Sequence, residues 1–296
     1  KQGLPAPRLF TYSSFKSDPI ELTVSQINGY LADGPPVWVR ARSKPLSSEL
    51  KPASAGSMPN DGGFLLVEDS ERSEIDQDLI AKEFLKPFVM GRELIQGIPR
   101  WCLWLVQATS AEIMSSEVLK SRVGQVRKLR AESPREATRR LAATPQLFGE
   151  IHQPQETYLG IPIVFSETRL FATCALLRPE VIAGNKVYTC IDPDGFQFAV
   201  VSSSMFITWQ KAVGGRLKSD PSFSNTLVWN NLPLPKVVDE LRLKIIEAGK
   251  GVLAARALHP ERSLAEHYNP LAMDPALLKA HAELDKVVDK AFGATK

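Results

Sequence analysis

The sequence is poor in cysteine, with only Cys102, Cys174 and Cys190 among its 296 residues. They are widely spaced, odd in number and form no C-x-x-C pair, which argues against a disulfide framework or a structural zinc site and leaves reduced packing residues. Long apolar runs are missing too. No stretch reaches the roughly 18 residues needed to span a bilayer, and the opening KQGLPAPR lacks the apolar stretch of a signal peptide. No membrane partner is expected, and the expected compartment is the cytoplasm. Catalytic signatures are equally scarce: G-x-S-x-G, a P-loop, H-E-x-x-H and G-x-G-x-x-G do not occur. His152, His259, His267 and His281 lack metal spacing and read as surface or capping residues. No carboxylate pair stands in an apolar setting that would raise a pKa for acid–base work. The chain is therefore expected to hold no catalytic residue, no metal and no cofactor of its own. Its opening Lys, in place of Met, raises the expectation of a longer parent polypeptide.

What is present is an ordinary globular composition, 44% apolar and 23% charged, enough for one generous core or two or three smaller ones. Disorder, fibre and coiled coil are excluded as the main architecture. The formal charge of +3 is too small a surplus to identify a partner, but its distribution is uneven. Six acids between Glu68 and Asp78 face one base, Arg72, whereas eight bases between Lys120 and Arg140 face two acids, Glu132 and Glu136. A basic helical hairpin is what a polyanion would select, because each neutralised phosphate releases counterions. A solvated helix face is the alternative reading of the same charges.

Residues 37–42 alternate as a strand, residues 64–67 return to strand, and Ser70 or Ser73 could cap an acidic helix toward Phe84. The apolar run 101–106 reads as a buried strand. Thr109-x-x-Glu112 is a capping box opening a helix to about Arg130, and Ser133-Pro134 opens a second, short helix to about Ala143. From Thr144 to Val201 the texture is β-rich, with runs at 161–165, 169–176, 187–191 and 196–201, and Pro193-Asp194-Gly195 is a turn. Residues 203–213 read as a helix ending at Gly214-Gly215. Residues 237–258 and 275–292 carry helical apolar stripes.

Seven strings then converge: residues 27–31 (INGYL), 43–46 (SKPL), 56–63 (GSMPNDGG), 97–105 (GIPRWCLWL), 215–219 (GRLKS), 223–233 (FSNTLVWNNLP) and 268–271 (YNPL). In this order they resemble the C-terminal part of an MmeI-like enzyme, the bacterial class of adenine DNA methyltransferases that often carry restriction activity in the same polypeptide. The class's Asn-Pro-Pro-Phe/Tyr catalytic loop and cofactor-binding glycine motif belong upstream of residue 1. The resemblance implies an α+β fold: a β-rich target-recognition domain with helical insertions, followed by a C-terminal helical segment. Residues 1–106 would be the tail of the methyltransferase domain and a linker, 107–235 the target-recognition domain, and 236–296 the helical segment. The implied partners are double-stranded DNA and the upstream methyltransferase domain, with S-adenosylmethionine bound by the parent. A self-contained hydrolase and a protein-interaction module are the competing readings.

Bases are discriminated by side chains whose donors and acceptors match a base edge. Lys218 and Asp220, two apart in a polar segment, would point the same way if extended. Together they complement a G·C pair, Lys to the guanine acceptors and Asp to the cytosine amine. The resemblance implies that these positions, with Ser222, are recognition positions; a surface ion pair is the alternative. Asn185 and Lys186, after Gly184, form a second candidate cluster, and Ser166, Glu167 and Arg169 a third. Arg127, Lys128, Arg139, Arg140 and Arg216 are the candidate phosphate contacts.

Overall fold

Two large hydrophobic cores, each built on a four-stranded sheet, and a small third cluster of Leu94, Tyr158, Ala183 and Val187 organise the described residues. The computed structural model describes residues 7–12, 16–36 and 38–294. In chain order, a small hairpin of β1 (Leu9–Thr11) and β2 (Ile20–Leu22) precedes β3 (Ala53–Ala55), β4 (Leu66–Val67) and α1 (Arg72–Gln77). Then come β5 (Leu85–Val89), α2 (Gly91–Gln96), β6 (Trp101–Leu103), α3 (Ser110–Ser115), α4 (Glu117–Ala131) and α5 (Glu136–Arg140). The second half carries β7 (Tyr158–Pro162), β8 (Ala175–Leu177), β9 (Ile182–Ala183), β10 (Val187–Ile191), α6 (Phe196–Ser202), α7 (Ser204–Val213), β11 (Gly215–Leu217) and β12 (Asp220–Ser222). Helices α8 (Asp239–Arg256), α9 (Leu264–His267) and α10 (Pro275–Ala291) close the chain. The class is α+β, as expected.

The first sheet runs β4-β6-β5-β9, and α4 buries Leu119, Val123 and Val126 in its core. The second runs β3-β10-β7-β8, all antiparallel, and its core is completed by α6, α7, α8 and α10. The sheets are joined at Gly184–Lys186, the short strap between β9 of one and β10 of the other. Gly184 fits there because a Cβ would stand 2.7 Å from Phe88 and 3.0 Å from Met90.

The capping box at Thr109 is present, its Oγ1 accepting from the Glu112 amide at 3.2 Å while the Glu112 carboxylate accepts from the Thr109 amide at 2.7 Å. The helix it opens does not run unbroken to Arg130. It stops at Ser115, and Ser116 caps α4 afresh, accepting from the Leu119 amide while donating to Asp78 Oδ2 at 2.6 Å. Ser70 and Ser73 do not cap the acidic helix; Glu71 stands at the N-cap of α1, and Glu68 caps the 3-10 turn that leads into it.

Several strand expectations fail or shorten: of residues 169–176 only Ala175 and Leu176 lie in a strand, and the run 101–106 is strand only to Leu103. Residues 38–42 form no strand, because their backbone partners are side chains and one distant carbonyl: Asn230 Nδ2 donates to Arg42 O, Asn231 Nδ2 to Arg40 O, Val39 N to Tyr30 Oη, and Arg42 N to Thr226 O. Val37, the first residue of that expected strand, lies outside the described residues. The run 196–201 is helix α6, every residue of the run buried and only Gln197 among them polar. A helix buried all round loses its polar stripe, and with it the period that betrays a helix.

Candidate nucleic-acid interface

The three candidate readout segments, far apart in sequence, meet at one end of the second sheet. Beyond β7 the chain continues through Ile163–Phe165, which lies between the start of β10 and β12. Ile163 N donates to Lys186 O at 3.1 Å, Phe223 N donates to Ile163 O at 2.8 Å, and Phe165 N donates to Pro221 O at 3.0 Å. Val164 bridges Ser222. Beneath this junction Phe223 packs edge-on against Tyr188, with ring centroids 5.0 Å apart.

From that base, β11 and β12 rise as a hairpin whose two-residue turn is Lys218-Ser219, with Leu217 opposite Asp220. Lys218 has φ of 59°, a left-handed conformation that the turn requires. The expectation that Lys218 and Asp220 project side by side from one extended segment is therefore corrected: a turn stands between them. Lys218 is exposed at the tip, and no ion pair joins it to Asp220 among the described residues. Asp220, half-buried, turns one carboxylate oxygen toward the neighbouring loop, where Oδ1 accepts from the Glu167 amide at 2.9 Å. Arg216 is exposed and donates to Ser219 O at 2.9 Å, bracing the turn.

In the 166–169 loop, Ser166 Oγ lies 3.2 Å from Thr168 Oγ1, and the Glu167 side chain is exposed. Arg169 is half-buried, its Nη1 donating to Leu264 O of α9 at 3.2 Å. Lys186 is exposed and Asn185 half-buried on the strap between the sheets.

The basic helices divide into two kinds of residue. Arg127 and Lys128 are exposed on α4 and make no ion pair among the described residues. Arg139 donates to the carbonyls of Ser133 and Pro134, at 2.9 and 3.0 Å, and Arg140 pairs with Glu136; both remain exposed. Arg122 is turned inward to Glu71 at 2.8 Å and to the carbonyls of Phe64 and Leu66. Arg130 is fully buried and donates to five carbonyls, those of Pro59, Asn60, Leu141, Thr144 and Leu147, at 2.8 to 3.1 Å. Counting charges along the sequence thus overstated the surface available to phosphate. The acidic stretch likewise spends part of its charge on ion pairs: Glu71 meets Arg122 and Glu68 meets Arg100.

Sequence reasoning missed the polar groups that frame the site. Arg256 Nε donates to Tyr268 Oη at 3.0 Å and its Nη1 to Cys174 O at 2.9 Å. With that oxygen accepting from Arg256, the Tyr268 hydroxyl donates to His281 Nε2 at 2.9 Å, and His281 Nδ1 donates to Ser202 O at 3.0 Å. Burial, then the nearby Arg256 charge, pushes the His281 pKa down to about 3. His281 is thus a neutral core residue stacked at 3.8 Å on Phe171, and His267 is buried as well, which corrects the surface assignment of both. All three cysteines are buried and free.

Among the described residues no three His, Cys, Asp or Glu side chains come together to hold a metal ion, and no helix is long and apolar enough to cross a membrane. The sequence matches the family described as MmeI, target recognition domain, over residues 33–236, and that described as MmeI, C-terminal domain, over 237–296. It is 34% identical over 278 residues to DNA methyltransferase A of Bacillus subtilis (strain 168), covering 93% of this chain and 31% of that protein. A solved structure of the Type IIL restriction-modification enzyme MmeI in complex with DNA superposes with a TM-score of 0.91 at 35% identity, covering 98% of this chain and 39% of that one. The chain thus spans about a third of the length of its curated relative.

Proposed function

The chain belongs to the MmeI family, and on that premise we propose that it is the sequence-specific double-stranded DNA recognition module of an adenine-specific DNA methyltransferase or combined restriction-modification enzyme. The observation that carries this reading is the convergence of the hairpin tip, the 166–169 loop and the 185–186 strap on one end of one sheet. Each segment offers base-matching chemistry: Lys218, Asp220 and Ser222 from the hairpin, Ser166 and Glu167 from the loop, Asn185 and Lys186 from the strap. Arg127, Lys128, Arg139 and Arg140, with Arg216 beside the tip, supply sequence-independent affinity for phosphates.

In the parent, an upstream methyltransferase domain would receive the flipped adenine and bind S-adenosylmethionine. A strand-to-helix glycine turn in this chain is not shaped for that cofactor. The strand-to-helix glycine turn at Gly195 has its amides taken up by Asp192 and Asp194, which accept from Phe196, Gln197 and Phe198, leaving no cradle there. The chain's own contribution is to orient base-reading side chains on a rigid frame.

Selection of tight-binding duplexes from a randomised pool tests the reading. The chain is expected to enrich one motif. Lys218→Glu with Asp220→Arg is expected to change the preferred base pair at one position, by roughly 1 to 3 kcal/mol of discrimination. An unaltered motif from a folded, binding double variant would return both residues to the surface.

A further inference from the structure

Two polar side chains at the end of α7 hold both readout elements, and neither faces outward. Gln210 is fully buried; its Nε2 donates to Ser222 O of β12 at 3.0 Å. Gly214 leaves room for it, since a Cβ there would stand 2.2 Å from Gln210 Nε2. One residue on, half-buried Lys211 donates through Nζ to Arg169 O at 3.3 Å. The same Arg169 is held from the other side by Leu264 O, and Asp220 closes the circuit by accepting from Glu167 N. The hairpin and the 166–169 loop are therefore fixed to one helix end, to each other and to α9 by four hydrogen bonds. Positioning matters here because a base-reading group must sit within hydrogen-bond reach of one edge, and a bidentate geometry tolerates little drift.

We propose that the last turn of α7 is an alignment clamp for DNA reading: Gln210 and Lys211 are positioning residues that set the spacing between hairpin and loop, and Arg169 ties that loop to the C-terminal domain instead of reading a base. The proposal rests on the recognition reading above. Base discrimination then depends on three residues that do not contact DNA. It also gives the C-terminal domain a share in specificity through the Leu264 carbonyl.

The test uses the whole chain, as wild type, Lys211→Met, Arg169→Met and Lys211→Arg, with two readouts. In the free protein, hydrogen exchange of the Glu167 amide should accelerate in Lys211→Met and return toward wild type in Lys211→Arg. In duplex selection, discrimination at the positions read by the hairpin and loop should fall about 5- to 30-fold in both Met variants, while total affinity and its salt slope stay unchanged. Unaltered Glu167 exchange overturns the clamp without reference to DNA. Unaltered discrimination in a folded variant overturns its role in reading. A salt slope reduced by roughly 0.9 per substitution would instead make Lys211 or Arg169 a phosphate contact. Should Lys211→Met fail to fold, Gln210→Met carries the same two measurements. A wild-type chain that enriches no motif would sink the recognition reading, and the exchange experiment would still decide the clamp.

Discussion

Five backbone carbonyls converge on the guanidinium of Arg130, gathering the 59–60 turn and the 141–147 segment around the end of α4. Three residues earlier, Arg127 points into solvent. Arg130→Met should therefore destabilise the fold by about 3 to 5 kcal/mol, since it strands acceptors that no water reaches easily. Arg127→Ala and Lys128→Ala should stay within about 0.5 kcal/mol of wild type while flattening the salt dependence of DNA binding by roughly 0.9 each. Urea denaturation and binding titrations at several salt concentrations separate the two classes, and a mild Arg130→Met would contradict the role assigned to the five carbonyls. Two other buried groups oppose each other in pH. His281, held neutral down to about pH 3, makes stability fall as pH drops below 6.5, because only the unfolded chain takes up that proton. Asp192, whose pKa burial pushes up to about 6, does the reverse: the folded chain binds the proton first, so stability falls as pH rises from about 4 to 6. Over pH 4 to 6 the two slopes offset. Asp192→Asn should unmask the histidine, adding acid sensitivity of up to about 1.4 kcal/mol per pH unit, measured by denaturation at stepped pH. A variant that follows the wild-type pH profile would refute this opposition.

At the level of elements, the strap at Gly184 is the most exacting position. Gly184→Ala should cost about 1 to 3 kcal/mol, because Phe88 and Met90 belong to the packed first lobe and have little room to yield. It should also displace Asn185 and Lys186, so the readout assigned to the strap should weaken while the hairpin's persists. A variant of wild-type melting temperature would show that the two lobes give way more easily than their packing implies. The elements legible in the sequence were those with local signals. Thr109 with Glu112, Pro275 at a helix start, Ser203 ahead of α7 and the apolar stripes of α8 and α10 all carry their cause within one or two turns of chain. The elements misread were those decided from afar. Residues 38–42 alternate like a strand, yet their partners include Asn230 and Asn231, nearly two hundred residues away. Helix α6 is buried along its whole length, packed by α7, α8 and α10, a circumstance that its own seven residues cannot announce.

At the scale of the whole molecule, the two family segments meet at 236 and 237, but the core does not divide there. Ile245, Val252, Leu277, Leu284 and Val288 from the C-terminal helices pack in one cluster with Trp229, Phe198 and Phe206. A chain ending at residue 236 should therefore fail to fold cooperatively, showing a broad melt and dye binding to exposed apolar surface; a sharp melt near that of the intact chain would contradict this. The candidate site divides in legibility along the same line. Its proposed tips, Lys218, Asp220, Asn185 and Lys186, were singled out by the family resemblance together with their base-matching chemistry. Its frame was not, because Gln210, Lys211 and the Leu264 carbonyl acquire meaning only when the chain brings them under the hairpin.

The hairpin that carries Lys218 buries almost nothing: β11 is exposed along its length, and Pro221 is the one buried residue of β12. Its tip can therefore change identity with little penalty to folding, while the frame below admits few alternatives. On the proposed reading, variation in what the hairpin reads would be uncoupled from the demand to stay folded.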